Sequence, residues 1–304
     1  MALKYKKFYF NSDTVFVFIN SFLLALIFLV TIYPILFVVS ASVSDPLLVS
    51  SGKVLLLPKG LTIQGYEYVV RYRELWIGYA NTVFYTVAGT LLNLIFTLPC
   101  AYALSRRDFP ARTIIMTFFI ITMYVSGGLI PHYLNVSSFG LVNTRAVLLI
   151  LGLVSVYNLI VARTFFANTI PWELQEAARI DGYSDFGIFF KIILPLSSPI
   201  VVVLAMYYGV GHWNEYFQAM IYLKDRGLYP LQLFLREILI QTQMLSVMGS
   251  GLSTEEIDYI LKQQDNANLL KYGVIVVSTA PMLIVYPWLQ KYFAKGVMLG
   301  SVKG

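Results

Sequence analysis

Glu176-Ala177-Ala178-Arg179-Ile180-Asp181-Gly182, continued to Ile192 and Leu194-Pro195, is the stretch on which the fold turns. It is a polar, helix-forming island between two long apolar runs. Ile170-Pro171 puts a proline at the expected first helical position, where a missing N–H costs nothing. Glu173 and Glu176 fall in the early turns, near the positive end of the helix dipole. Leu174, Ala177, Ala178 and Asp181 share one face by the i, i+3, i+4, i+7 rule, and the two alanines let another protein's backbone come close. Gly182 is placed to end the helix in the left-handed region. Ser184 to Ile193 then forms a second short helix with Phe186, Phe189 and Phe190 as apolar anchors. Leu194-Pro195 stops it and redirects the chain. The product is a compact hydrophilic knob.

The rest of the chain is the opposite in character. Of 304 residues, 58% are hydrophobic and only 12% charged, about half the charged share of a soluble domain. The chain is therefore expected to be all-α and to sit in the cell membrane, in contact with lipid. The net charge of +6 does not mark a nucleic-acid binder, because the basic residues gather at the ends of apolar runs and form no stripe. A lone cysteine, Cys100, excludes an internal disulfide and a cysteine metal cluster. His132 and His212 have no metal-ligand spacing, so no metal site is expected.

A spanning helix needs roughly 20 apolar residues. Six segments qualify, near 15–40, 78–104, 113–131, 144–166, 196–222 and 272–293. The first is too long for the core of a cleaved signal peptide and reads as a retained span. Lys4, Lys6 and Lys7, then Arg106, Arg107 and Arg112, then Arg163, Arg179 and Lys191, then Lys291, Lys295 and Lys303 all fall on one side of a six-span path. That side is the cytoplasm by the positive-inside rule, with both termini inside.

Two outer loops are long. Residues 41–77 are rich in turn formers, and a well-formed layer is not expected there. In 224–271, Pro230 opens a short interfacial helix at Leu231–Leu239. Met248-Gly249-Ser250-Gly251 breaks it, and Ser253-Thr254-Glu255-Glu256 resembles a capped second start. This loop fits a lid over the bundle and a docking surface for an external partner equally well.

The spacing Glu-Ala-Ala, three residues, glycine, nine residues, isoleucine, one residue, leucine-proline resembles the signature of permease subunits of type I ABC importers. It maps without a gap onto Glu176, Ala177, Ala178, Gly182, Ile192, Leu194 and Pro195. Asn81-Thr82, Ala101-Tyr102-Ala103-Leu104-Ser105-Arg106, Asp181, Trp213-Asn214-Glu215-Tyr216 and the tail Gly300–Gly304 look like the carbohydrate-uptake branch. The resemblance implies the type I importer permease fold. Residues 1–74 would be a first transmembrane helix and external loop, 75–294 a transmembrane core with cytoplasmic coupling helices at 170–194, and 295–304 a cytoplasmic tail. It also implies the partners: a homologous second permease, two ATP-binding subunits that carry ATP and Mg, and an extracellular solute-binding protein that delivers a carbohydrate. The knob would enter a cleft of the ATP-binding subunit. Glu176 would meet a basic residue there, Gly182 would allow the turn, and Ala177 and Ala178 would set close contact beside Asp181, Leu194 and Pro195.

No Gly-x-x-x-x-Gly-Lys phosphate cradle, carboxylate pair or nucleophile elbow is present, so this chain is not expected to be an enzyme by itself or to hold a cofactor. The remaining functional candidates are polar groups in the spans, where burial without a partner is costly. Asn158, with Ser155 and Tyr157, lies in the fourth span. Tyr207, Tyr208, His212, Trp213, Asn214 and Glu215 lie in the fifth. Aromatic rings with amide and carboxylate groups suit a sugar pathway, and they equally suit interface anchoring and helix–helix bonding. The aromatic stripe Phe118, Phe119, Met123 and Tyr124 reads as lipid-facing or packing. A permease for a non-sugar solute, a membrane-embedded glycan-processing enzyme, and an ion channel or an ion- or proton-coupled carrier are the rival readings. The carrier is disfavoured because ionisable residues are missing from the span centres.

Overall fold

The computed structural model describes residues 12–247, 267–268, 270–285 and 287. The basic start at Lys4–Lys7, the break and capped start within 248–256, the far end of the sixth span and the tail 295–304 lie outside these residues. All regular structure among the described residues is helical. The chain divides into two compact units. One holds the N-terminal part up to Arg71 with Gln241–Val276, and the other holds Tyr72–Ile240 with the residues from Val277 onward.

In the first unit, α1 (Ser12–Ser42) is an uninterrupted apolar helix, long enough to cross a membrane. The loop after it is more ordered than its turn-rich composition predicts. It carries α2 (Pro46–Ser50), capped by the Asp45 carboxylate, and α3 (Gln64–Arg71). Serines make the order possible. Ser40 Oγ donates to the Leu56 carbonyl at 2.5 Å, Ser44 Oγ accepts from Lys59 N at 3.1 Å, and the Ser42 and Tyr66 hydroxyls meet at 2.8 Å.

The second unit is organised by α4 (Arg73–Ser105). Its buried stripe includes Gly78, Asn81, Thr82, Tyr85, Gly89, Asn93, Thr97, Ala101 and Tyr102, which are mostly small or polar residues at three- and four-residue spacing. Small residues let helices approach closely where lipid removes the hydrophobic drive. A Cβ on Gly89 would strike the His212 imidazole, and one on Gly78 would strike the Phe234 ring.

The third, fourth and fifth expected spans are interrupted. The third is α5 (Arg112–Tyr124) joined to α6 (Leu129–Ser138) across a 117° bend. The fourth is α7 (Arg145–Ile150) and α8 (Val156–Thr169), separated by non-helical Leu151–Ser155. After α8 come α9 (Trp172–Ile180) and α10 (Asp185–Ile188). A π-helical turn at Phe189–Ile193 and α11 (Leu194–Leu196) then lead, across an 82° bend, into α12 (Ser198–Trp213). A break at 214–216 precedes α13 (Phe217–Tyr222), so the fifth span is also divided. Next comes α14 (Leu231–Val247), nearly twice the length expected for the helix opened by Pro230. An apolar α15 (Leu270–Val285) covers the described part of the sixth span.

Broken helices leave backbone groups without partners, and hydrocarbon cannot supply them. α4 does. The Asn93 carboxamide donates to the carbonyls of Gly152 and Leu153 at 3.2 and 2.8 Å, and its oxygen meets His212 Nε2 at 2.7 Å. The Tyr208 hydroxyl accepts from Ser155 N at 3.1 Å and pairs with the Thr97 hydroxyl at 2.7 Å. At the other end, Asn81 Nδ2 donates to the carbonyls of Gly227 and Tyr229, the Tyr85 hydroxyl to that of Leu228, and Leu231 N to Thr82 Oγ1. The Asn81-Thr82 pair noted in the sequence thus anchors the loop leading into α14.

Asn93→Leu should orphan both carbonyls of the α7–α8 break and release His212. The expected loss is about 1–3 kcal/mol, read as a fall of several degrees in the thermal unfolding midpoint of the detergent-solubilised protein. A midpoint equal to that of the unsubstituted protein would refute the assignment.

Candidate functional site

The knob begins one residue later than its sequence suggests. Pro171, at φ −61° and ψ 140°, caps α9, which starts at Trp172. The helix ends as expected. Gly182 has φ +80°, its N–H donates to the Arg179 carbonyl, and Tyr183 N–H donates to that of Ala178, each at 3.0 Å. This is the paired closing pattern that a left-handed glycine makes possible.

The single face expected for Leu174, Ala177, Ala178 and Asp181 is divided. Gln175 and Ala178 are buried and Leu174 packs against the core, whereas Glu176, Ala177, Asp181 and Gly182 are exposed. Ala178 therefore supports α9 from inside its own chain. The phenylalanines separate likewise: Phe189 is buried, and Phe186 and Phe190 are exposed. Ile180 (87% exposed), Phe186 (78%) and Phe190 thus present apolar side chains to the outside on the two sides of the turn. Glu176 is not free to swing, because the Trp172 indole N–H donates to its Oε1 at 2.7 Å.

Leu194-Pro195 does not stop the second helix. Proline removes an N–H from the ladder, and the chain adapts by widening ahead of it. Leu194 N bonds to the Phe189 carbonyl, the five-residue step of a π turn. Helix then continues through Leu196, and Ser197 Oγ donates to the Ile193 carbonyl at 2.7 Å. The redirection occurs at Ser197.

Four charged residues fasten the knob to the end of α4. Arg106 grips Asp108 through Nε and Nη2 at 3.0 and 2.6 Å and reaches Asp185 through Nη1 at 2.8 Å. Arg179 on α9 bonds the same Asp108 at 2.7 Å and Asp185 at 3.4 Å. Burial opposes the Arg106 charge, but the hydrogen bonds to Asp108 and Asp185 prevail and raise its pKa above the ordinary guanidinium value. The Tyr102 hydroxyl adds a bond to Gln175 Oε1 at 3.1 Å. An open cavity of about 480 Å³ lies here, lined by Tyr102, Arg106, Phe109, Phe186 and Phe190 among others.

The intramembrane candidates also divide. Tyr208 is buried and committed to Thr97 and Ser155. Trp213 is buried, and its indole donates to the Ser278 carbonyl at 3.0 Å. Asn214 Nδ2 closes the end of α12 on the Val210 carbonyl, and Glu215 Oε1 accepts from Gln218 N at the start of α13. By contrast, Tyr157 and Tyr207 lie exposed on neighbouring helices with ring centroids 6.3 Å apart. Asn158 beside them is 6% exposed, and its carboxamide has no hydrogen-bond partner among the described residues. In the third span, Phe118 and Tyr124 are exposed, while Phe119 packs against the core.

The model of the family described as "binding-protein-dependent transport system inner membrane component" matches residues 75–299. The chain belongs to this family. It is a membrane permease subunit of the ABC transporter class, with the type I fold, and such subunits are not themselves enzymes. The permease is 39% identical over 280 residues to the polygalacturonan/rhamnogalacturonan transport system permease protein YtcP of Bacillus subtilis (strain 168), covering 91% of this chain and 94% of that one. It is 37% identical over 275 residues to Protein LplC of the same organism, covering 90% of each. A chain in the crystal structure of a bacterial ABC transporter involved in import of the acidic polysaccharide alginate superposes on the permease with a TM-score of 0.83. That chain is 34% identical and fully covered, and 95% of this one is matched.

Sequence reasoning missed Asn93 and the Arg106–Asp108–Arg179–Asp185 network. The signals were present as an asparagine within an apolar run and two aspartates at the expected cytoplasmic connections. Arg106→Ala should cost about 1–2 kcal/mol in thermal unfolding, between the values of exposed and buried ion pairs. Arg179→Ala should cost less, because the Arg179 side chain is 41% exposed against 11% for Arg106. The reverse order would refute the hierarchy.

Proposed function

We propose that this permease is one half of the translocation pathway of an ATP-driven importer that takes up carbohydrate delivered by an extracellular solute-binding protein. The reading rests on relatives named for transport of polygalacturonan and rhamnogalacturonan, arabinooligosaccharides and galactooligosaccharides, and on the likeness to the alginate importer chain. A homologous second permease would complete the bundle. Two ATP-binding subunits would carry ATP and Mg, with no cofactor in this chain. The chain would cross the plasma membrane six times with both termini in the cytoplasm. Residues 1–74 would form the first span and outer loop, 75–294 the core with coupling helices at 170–194, and 295–304 the tail.

The observation that carries the coupling role is the exposed rim of Glu176, Ala177, Ile180, Asp181, Gly182 and Phe186. An apolar rim beside a fixed carboxylate suits a protein cleft better than water. Ala178, Leu194 and Pro195 act from behind it. Closure of the ATP-binding subunits draws the knob sideways. Arg106, Asp108 and Asp185 pass that displacement to α4, and the π turn passes it to α12. A packed bundle responds by switching between two discrete arrangements, inward-open and outward-open. Tyr157, Asn158 and Tyr207 are the proposed contacts along the pathway. Tyr208, Trp213, Asn214 and Glu215 shape it through the bonds described above.

Gly182 tests the docking. A Cβ there meets nothing within 4 Å, so the defect of Gly182→Val comes from the left-handed backbone, at about 1–2 kcal/mol. The variant should reach the membrane and keep its partner permease, yet lose co-purification with the ATP-binding subunits and lose sugar uptake. Uptake at the unsubstituted rate would refute the coupling role.

A further inference from the structure

The bend between α5 and α6 and the first residue of α13 border one open cavity of about 520 Å³. Its lining includes Ser126, Gly127, Gly128, His132, Asn135 and Phe217. α5 has 13 residues and is about 20 Å long, against a hydrocarbon layer of about 30 Å. The bend that follows therefore lies within membrane thickness. Its backbone is not covered by its own chain. Ser126 Oγ accepts from Gly128 N at 3.2 Å, but the N–H groups of Ser126 and Gly127 have no partner among the described residues, and residues 121–130 are all exposed.

This is the reverse of the α7–α8 break, whose carbonyls are captured by Asn93. Exposed irregular backbone at this depth is tolerated only where it lines a water-filled cavity or meets another protein. The side chains favour the first. His132 Nδ1 pairs with the Tyr222 hydroxyl at 2.7 Å, leaving Nε2 available. The Asn135 carboxamide has no partner among the described residues, and the Phe217 ring is 49% exposed. An apolar ring face, an amide that both donates and accepts, an imidazole nitrogen and free backbone N–H groups match a sugar ring, which offers an apolar C–H face and a rim of hydroxyls. The lining has no carboxylate, ammonium or guanidinium, so it fits the hydroxyl-bearing ring and not a charged substituent.

We propose that the cavity between the α5–α6 bend and the start of α13 is a carbohydrate subsite of the translocation pathway. Phe217 is its stacking platform, and Asn135, His132 and Gly127 are its hydroxyl contacts. The inference rests on the carbohydrate-import reading.

The test uses the complete transporter in proteoliposomes, with saturating binding protein loaded with a neutral oligosaccharide that the unsubstituted complex imports. Phe217→Ala and Asn135→Leu should each lower the maximal uptake rate roughly ten-fold, the effect of losing one well-placed contact. Phe217→Tyr and Asn135→Gln should restore most of it. Phe118→Leu, on the exposed stripe of α5, should change it less than about two-fold. Uptake within two-fold for both truncations overturns the subsite. So does loss of the partner permease on purification of both, which would make the cavity a packing surface between the two halves. An unsubstituted complex that imports no carbohydrate overturns the parent reading, and this one with it, before any variant is compared.

Discussion

Hydrocarbon supplies no hydrogen bonds, and this molecule meets that constraint largely through one helix. α4 runs unbroken while its neighbours are interrupted, and its polar side chains serve their interruptions. Asn93 takes the carbonyls of the α7–α8 break, Thr97 supports the tyrosine that holds Ser155, and Asn81, Thr82 and Tyr85 hold the loop into α14. Each bond is modest, on the order of 1 kcal/mol. Their absence would cost more, because an orphaned backbone group cannot turn to water. Small residues on the same stripe bring the partners near enough, as Gly89 does for His212.

The lower end of α4 applies the same economy to charge. Arg106 is the least exposed member of its network and holds two aspartates, one beside it in sequence and one on the knob. Arg179 returns from the knob to the same aspartates. On the proposed coupling role, a displacement of the knob would reach α4 through several short charge-assisted bonds and would not depend on side-chain packing alone. The π turn before Pro195 provides a second route, since it keeps the second half of the knob helically continuous up to the bend into α12. A clean proline stop, as the sequence suggests, would have left a hinge there. The absorbed proline gives a stiffer lever.

At the α7–α8 break the Gly152 and Leu153 carbonyls and the Ser155 N–H are held by side chains of α4 and α12. The break at 125–128 is exposed and its Ser126 and Gly127 N–H groups lack partners among the described residues, so it is structure awaiting a second surface or a solvated ligand. On the proposed coupling role, the exposed rim of the knob would stand in the same relation to a protein cleft. On the proposed reading a permease subunit has to carry such surfaces, because its pathway and its motor contacts would be completed by other chains.

The sequence by itself determined the class of solvent, the helical character and the knob. Apolar runs of membrane length, clustered basic residues and the Glu176–Pro195 spacing are local signals. The left-handed turn at Gly182 depends on a neighbour pattern a few residues long, and it appears where the spacing placed it. Only the tertiary structure decided which polar residues are buried and which are exposed. Tyr208 and Trp213 look like Tyr157 and Tyr207 in the sequence, yet the first two are buried and the second two stand exposed. The partner of His212 lies 119 residues away and that of Trp213 lies 65. Polarity and spacing along a chain cannot specify such pairings, because they depend on which helices come within hydrogen-bond reach once the bundle has closed.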